Sequence, residues 1–125
     1  MEENLERLVN WIEIPVLDFA RAIAFYEEIL QTTLQTMEIN NTKYALFPTN
    51  DRFNSGSLVQ SENHKPSLDG VNVYFDGGTD MNQLLIRVEL AGGKILLTKT
   101  YVGEEAGHIG MFLDSEGNKI GIQQF

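Results

Sequence analysis

A repeated order of secondary structure constrains this chain more than any other feature: a strand, a helix and three strands are predicted twice. The first strand, Val9–Val16, alternates between two faces and ends near Pro15, which cannot continue a central strand. A helix follows, with Asp18 as its N-cap and apolar residues at helical spacing. Three short strands complete this first copy, at Leu34–Asn40, Thr42–Pro48 and Gly56–Gln60.

The second copy begins about 60 residues later. It has a strand at Gly70–Asp76 and a helix at Met81–Ala91, which Thr79 or Asp80 would cap. Gly92 ends that helix, and three more strands run to the C-terminus. We therefore expect one domain made of two paired modules, about residues 5–61 and 70–125, with a linker at 62–69.

Each module would form a four-stranded sheet that its single helix covers on one face only, so the other face must be buried or used. Two such sheets joined edge to edge give a trough that is open to a small ligand. The predicted fold class is therefore α+β: two βαβββ modules form a curved eight-stranded mixed sheet around a concave trough, with the helices on the outside.

Composition excludes several classes of function. The net charge of −9 comes from scattered Asp and Glu residues, so we expect no nucleic-acid partner and no membrane partner. The absence of cysteine excludes disulfides, thiolate metal sites and a cysteine nucleophile. The sequence shows no signal peptide and no apolar run of about 18 residues, and we expect a cytoplasmic protein.

Two stretches resemble the vicinal oxygen chelate superfamily, which includes glyoxalase I, extradiol dioxygenases and bleomycin-resistance proteins. They are EIPVLDFARAIAFYEEIL at Glu13–Leu30, and AGGKIL with GHIGMFLDSEGNKIGI in the second module. The resemblance implies a glyoxalase-like fold of paired βαβββ modules. It also implies four metal-ligand positions on the concave face, where metal-dependent members carry His, Gln or Glu.

At those four positions this sequence has almost no metal donors. They fall on Trp11, on Val59 (or Gln60), on Val73 (or Val71) and on Gly121. An indole has no lone pair to give a metal, and a divalent ion needs three or four converging donors. We therefore expect neither a metal nor another cofactor.

The ligand-binding residues are expected on the concave face of the strands. They are Trp11, Glu13, Val59, Val73, Ile109, Met111, Gly121 and Gln123. Gly121 would leave room opposite Trp11 for a flat or bulky group to stack on the indole. No catalytic residue is assigned, and Glu13 is the candidate general base if the protein is an enzyme.

Three functions remain open from the sequence. The first is a metal-free protein like the bleomycin-resistance branch, which binds a small, partly apolar organic molecule; that branch implies a homodimer. The alternative is a lyase or isomerase of glyoxalase type that uses Glu13 as base or an unrecognised metal site. The third is a partner-binding module whose trough is filled by its own large side chains, such as Tyr44 and Met111. The identity of the ligand stays open, as does pairing of the modules within one chain or between two.

Overall fold

A computed structural model describes residues 9–50 and 55–125, and the elements follow one another in the predicted order. The first module contains β1 Ile12–Pro15, α1 Phe19–Leu30, β2 Gln35–Ile39, β3 Thr42–Leu46 and β4 Gly56–Gln60. The second contains β5 Tyr74–Asp76, α2 Met81–Leu90, β6 Lys94–Tyr101, β7 His108–Leu113 and β8 Lys119–Gln124. The predicted start of module one, near residue 5, lies outside the described residues.

The strands form two four-stranded mixed sheets of the same topology. Their orders are β1-β4-β3-β2 and β5-β8-β7-β6, so the first strand of each module lies parallel to the last. The remaining neighbours are antiparallel. The α+β prediction is confirmed, and both sheets are open. In the part of the chain that the structure describes, no helix is long and apolar enough to cross a membrane.

Local sequence signals set the helix starts and one hairpin. The side chain of Asp18 accepts a hydrogen bond from the backbone of the first turn of α1, and Asp80 does the same for α2. Asn40 and Asn41 both have positive φ, 50° and 65°. A two-residue turn between twisted antiparallel strands needs this conformation, which Asn tolerates, and the turn therefore pairs β2 with β3.

The prediction for the fifth strand is wrong in its first half. The strand was expected from Gly70, but β5 begins at Tyr74, where pairing with Gly121 of β8 starts. Gly70 has a left-handed backbone with φ of 102°, and Val71 is exposed. Alternation of residue types does not show where pairing with an adjacent strand begins, so the sequence predicts the start of this strand several residues too early.

One hydrophobic core serves both modules. Tyr26 of α1 lies 6.0 Å from Phe75 of β5 between ring centroids, and Phe25 lies 6.2 Å from Phe112 of β7. Phe47, which follows β3, meets Phe75 edge to face at 5.4 Å. Because these aromatic contacts cross from one module to the other, the two modules pack against each other through one shared core.

Glu116, in the turn between β7 and β8, links that turn to the start of α1. Its carboxylate accepts two hydrogen bonds from Arg21, at 2.7 and 3.0 Å, and two from the backbone N–H groups of Leu17 and Asp18, at 2.9 and 2.7 Å. Burial by itself would raise the pKa of Glu116, but these hydrogen bonds outweigh burial and lower the pKa to about 2.

Asp114 and Asn118 complete the same junction. The Asp114 carboxylate accepts a hydrogen bond from the Tyr26 hydroxyl at 2.6 Å and another from the side-chain amide of Asn118 at 2.9 Å. Asn118 also donates to the carbonyl of Pro15 at the end of β1, at 2.7 Å. Burial and the neighbouring Asp114 carboxylate raise the pKa of Tyr26 well above its ordinary value. The DSEGN turn thus holds β1 and α1 against the second module.

Candidate functional site

The exposed face of the first sheet carries a cavity of about 340 Å³. Its lining side chains are mostly apolar or aromatic: Trp11, Glu13, Met37, Ile39, Tyr44 and Leu46. Glu13 is the one charged residue among them. A cavity of this size and lining is typical of sites for small organic molecules.

Strand register explains why these residues share a face. Glu13 on β1 lies opposite Ser57 on β4, which in turn lies opposite Leu46 on β3. Ile14 and Ala45, the chain neighbours of Glu13 and Leu46, point into the core instead. Alternation along each strand therefore divides the apolar residues into one set for the core and another for the cavity.

Trp11 and Glu13 lie side by side at this cavity, on the common face that their spacing predicts. The indole N–H of Trp11 donates to Oε2 of Glu13 at 3.2 Å. The Trp11 side chain stays 38% exposed, so its ring is accessible to a ligand. That these two residues bind one remains a prediction.

His64 reaches Glu13 from the linker, a contact that sequence reasoning missed. Its Nε2 lies 3.5 Å from Oε1 of Glu13, and its Nδ1 lies 2.6 Å from the Ser61 hydroxyl. Ser61 also accepts the backbone N–H of Asn63, which folds the linker into a turn. Sequence spacing gives no signal for this contact, because the path of the linker brings the imidazole to β1.

The predicted gap at Gly121 is filled by the chain itself, so the expectation of free space there is wrong. The ring of Tyr74 lies across Gly121, and a Cβ at position 121 would stand only 2.5 Å from Cδ2 of that ring. Tyr74, not Val73, is the residue of β5 that pairs with Gly121 and shares its face. Val73 precedes the strand, and its carbonyl accepts the N–H of Gly121 at 2.8 Å.

The other predicted ligand-binding residues divide between the two sheets. Val59 is fully buried opposite Tyr44 on the first sheet. Ile109 and Met111 of β7 lie opposite Gln123 and Gly121 of β8, on the same face of the second sheet as Tyr74. The side chain of Gln123 donates to the carbonyl of Ala106 at 3.0 Å.

Glu13 and Val73 also line a second, smaller space. This cleft of about 130 Å³ lies between the end of β1 and the start of β8. Lys65, Asp69 and Lys119 line it as well, so both signs of charge face each other across it.

The residues on the concave face do not fit the metal ion that the resemblance implies. Trp11 presents an indole and Val59 an isopropyl group, and neither binds a metal. On the second sheet Tyr74 presents a phenol, and Gly121 has no side chain. Gln60, the alternative donor, pairs with Lys43 on the opposite face of the first sheet. Within residues 9–50 and 55–125, no group of three His, Asp or Glu side chains is placed to hold a metal.

A comparison with protein families finds one matching description. The model of the Glyoxalase/Bleomycin resistance protein/Dioxygenase superfamily matches residues 8–122, nearly the whole chain. No curated protein sequence matches.

Solved structures of the same fold include both enzymes and binding proteins. A glyoxalase I mutant from Zea mays is 20% identical with a TM-score of 0.66 over 91% of this chain. This chain spans only 44% of the length of that enzyme. TnmS3, an antibiotic binding protein from Streptomyces sp. CB03234, is 23% identical with a TM-score of 0.66, over 98% of both chains. A virulence protein from Salmonella typhimurium is 22% identical with a TM-score of 0.65, over 98% of this chain and 99% of its own.

Proposed function

Because the chain belongs to the Glyoxalase/Bleomycin resistance protein/Dioxygenase superfamily, we propose that it binds a small, partly apolar organic molecule without a metal ion. The observation that carries this proposal is the cavity of about 340 Å³ beside Trp11. Aromatic and aliphatic side chains supply most of its surface, and Glu13 supplies one polar anchor. The antibiotic binding protein of the same fold is a precedent for ligand binding by this fold.

Among the residues that the structure describes, the lack of a suitable donor cluster supports the metal-free part of the proposal. The resemblance implies His, Gln or Glu at the positions of Trp11 and Gly121, and neither residue has a donor to give a metal; Trp11 offers aromatic surface instead. We assign the ligand contacts to the two cavity-side residues Trp11 and Glu13 together with Tyr44. Val59 lies opposite Tyr44 on the neighbouring strand, is fully buried and is not among the residues that line the cavity.

A homodimer is part of the same proposal, and it would bring the remaining predicted residues to the ligand. The cavity is lined from the first sheet alone, whereas Ile109, Met111, Gly121 and Gln123 lie on the second sheet. Apolar side chains stay exposed on both sheets, among them Ile39 at 49% and Tyr74 at 43%. A second copy whose second sheet covers the Trp11 cavity would bury this surface. We also propose that the protein is cytoplasmic. Light scattering of the purified protein tests the dimer, and a monomer at micromolar concentration would contradict it.

Fluorescence of Trp11 tests the binding proposal directly, because the chain contains a single tryptophan. The protein is titrated with a panel of small aromatic and aliphatic molecules, with and without added Zn²⁺, Ni²⁺ or Mn²⁺. A saturable change that ignores the metal supports metal-free binding. A change that requires the metal, or no change with any compound, contradicts the proposal.

The contact between Glu13 and His64 favours a second candidate function, a lyase or isomerase of glyoxalase type. A carboxylate that borders a cavity and lies 3.5 Å from an imidazole can accept a proton and pass it on. Exchange of carbon-bound hydrogen next to a carbonyl, followed in D₂O by NMR on small aldehydes and ketones, tests this role. Exchange that the wild type accelerates and the Glu13→Gln variant does not would support the enzyme.

A further inference from the structure

We infer that the cavity beside Trp11 selects an organic ammonium ion with an aromatic or aliphatic body, and that His64 competes with this ligand for Glu13. The inference rests on the proposed function and names the class of ligand for the same site. It follows from the charge of the lining, the partners of the Glu13 carboxylate and the aromatic surfaces beside it.

The lining carries a single charge, and that charge is negative. Met37, Ile39 and Leu46 offer only apolar surface, and they match the hydrocarbon part of a ligand. An anionic ligand would place its charge next to Glu13 without a cation among the lining residues to receive it. A neutral ligand would form no ion pair with the Glu13 carboxylate, which would keep its contacts with Trp11 and His64. An ammonium ion is the group that adds a favourable interaction at this wall.

The aromatic residues strengthen the preference for a cation. Trp11 and Tyr44 both line the cavity, and the Trp11 indole is fixed beside the carboxylate by its hydrogen bond to Oε2. The face of an indole or phenol ring attracts a cation, most strongly when the cation is shielded from water. A carboxylate and two aromatic rings around one apolar cavity therefore recognise an alkylammonium group.

His64 contacts the same carboxylate from outside the cavity, because it is not one of the residues that line the space beside Trp11. Its Nε2 faces Oε1, the carboxylate oxygen that does not accept the indole N–H. The contact is long, at 3.5 Å, and about a third of each side chain is exposed. Because such an exposed pair contributes little, a ligand that brings a full positive charge can displace the imidazole. His64 would return to Glu13 when the ligand leaves.

Two other cations lie on the far side of Glu13. Lys65 and Lys119 line the smaller cleft together with Glu13 and Asp69, and neither lysine lines the larger cavity. They weaken the negative potential at Glu13 but leave the Trp11 side open to a cation. The net charge of −9 also favours the approach of cations from solution.

Three probes of nearly equal shape test the inference: 1-naphthylmethylammonium, 1-naphthalenemethanol and 1-naphthylacetate. Binding to the 125-residue chain is measured by calorimetry and by the ¹⁵N–¹H resonance of the single indole, whose N–H donates to Glu13. The variants are Glu13→Gln and His64→Gln. Glu38→Gln serves as the matched control, because Glu38 lies exposed on β2, paired with Lys43 on the other face of the sheet.

We expect the ammonium probe to bind about 10-fold more tightly than the alcohol, and the carboxylate to bind most weakly. Glu13→Gln should weaken the ammonium probe about 10-fold and leave the alcohol within about 2-fold. His64→Gln should tighten the ammonium probe by about 2–5-fold, while Glu38→Gln changes neither probe.

Equal affinity for the alcohol and the ammonium probe, or an unchanged preference in Glu13→Gln, would overturn the inference and leave the proposed binding function standing. An unchanged ammonium affinity in His64→Gln would overturn the competition. Failure of all three probes to bind would count against the proposed function itself.

Discussion

The guanidinium of Arg21 and the carboxylate of Glu116 form a two-point salt bridge between α1 and the turn that joins β7 to β8, 95 residues further along the chain. The Glu116 side chain is fully buried, whereas half of the Arg21 side chain reaches solvent. The salt bridge thus joins the two modules at the surface of their junction. Its carboxylate is the acceptor for four hydrogen bonds from α1 and the residues before it.

Glu116→Gln should destabilise the fold by about 2–3 kcal/mol, because a neutral amide cannot accept all four hydrogen bonds and turns N–H groups toward other donors. Urea unfolding followed by circular dichroism measures this loss. Arg21→Met should lower the unfolding midpoint as well. The midpoint of Arg21→Lys should lie between those of Arg21→Met and the wild type, because lysine keeps the positive charge but cannot make the two parallel hydrogen bonds of a guanidinium group. A Glu116→Gln midpoint equal to that of the wild type would contradict the role of this junction.

Stability should fall in acid as Glu116 becomes protonated. The pKa of Glu116 is about 2 in the folded chain against an ordinary value of 4.5, so the unfolded state takes up this proton first. The contribution of Glu116 is therefore complete above about pH 4.5 and is lost as the pH falls toward 2. Unfolding free energies between pH 7 and 2.5 check this. The unfolding free energy of the Glu116→Gln variant should fall less steeply with decreasing pH than that of the wild type. The same slope in both proteins would show that other groups cause the loss of stability.

Tyr26→Phe should cost about 1–2 kcal/mol, since Asp114 loses the hydroxyl that donates to it in the core while the ring contacts remain. Thermal unfolding of the wild type and of Tyr26→Phe gives the difference in their stability. The double variant Tyr26→Phe with Asp114→Asn shows whether the two residues act together. Purely additive losses would mean that the hydrogen bond is not the source of the effect.

Gly121→Ala should destabilise the second sheet by about 1–3 kcal/mol, because the added methyl group meets the ring of Tyr74. Tyr74→Ala should tolerate the same substitution, since the ring that causes the clash is gone. A double-mutant cycle by chemical unfolding separates the two cases. If Gly121→Ala costs the same with and without the ring, the clash is not with Tyr74.

Local rules predicted much of this fold from the sequence. The cap at Asp18 depends on one residue and its neighbours, so it is readable without tertiary information. For α2 the sequence left Thr79 and Asp80 as alternatives, and Asp80 is the observed cap. Alternation in the predicted strand places Trp11 and Glu13 on one side, and both line the same cavity, although Trp11 lies just before β1.

The parts of the site that depend on neighbouring strands were not predictable in this way. Val73 was placed on the concave face, but the pairing of β5 with β8 puts Tyr74 there, because a slip of one residue exchanges the two faces of a strand. The contact of His64 with Glu13 depends on the path of a linker that has no periodic pattern. Alternation shows which residues share a face, and only packing shows what lies across from them.

The aromatic contacts between Tyr26, Phe75, Phe25 and Phe112 have a consequence for how the molecule comes apart. Three ring contacts in the described part of the chain cross between the modules, so each module depends on the other to complete its interior. We therefore expect the two repeats to unfold as one cooperative unit, with amide hydrogens in α1 and β7 exchanging in the same global opening. A gene split in the linker would yield halves that recover structure only when they are present together.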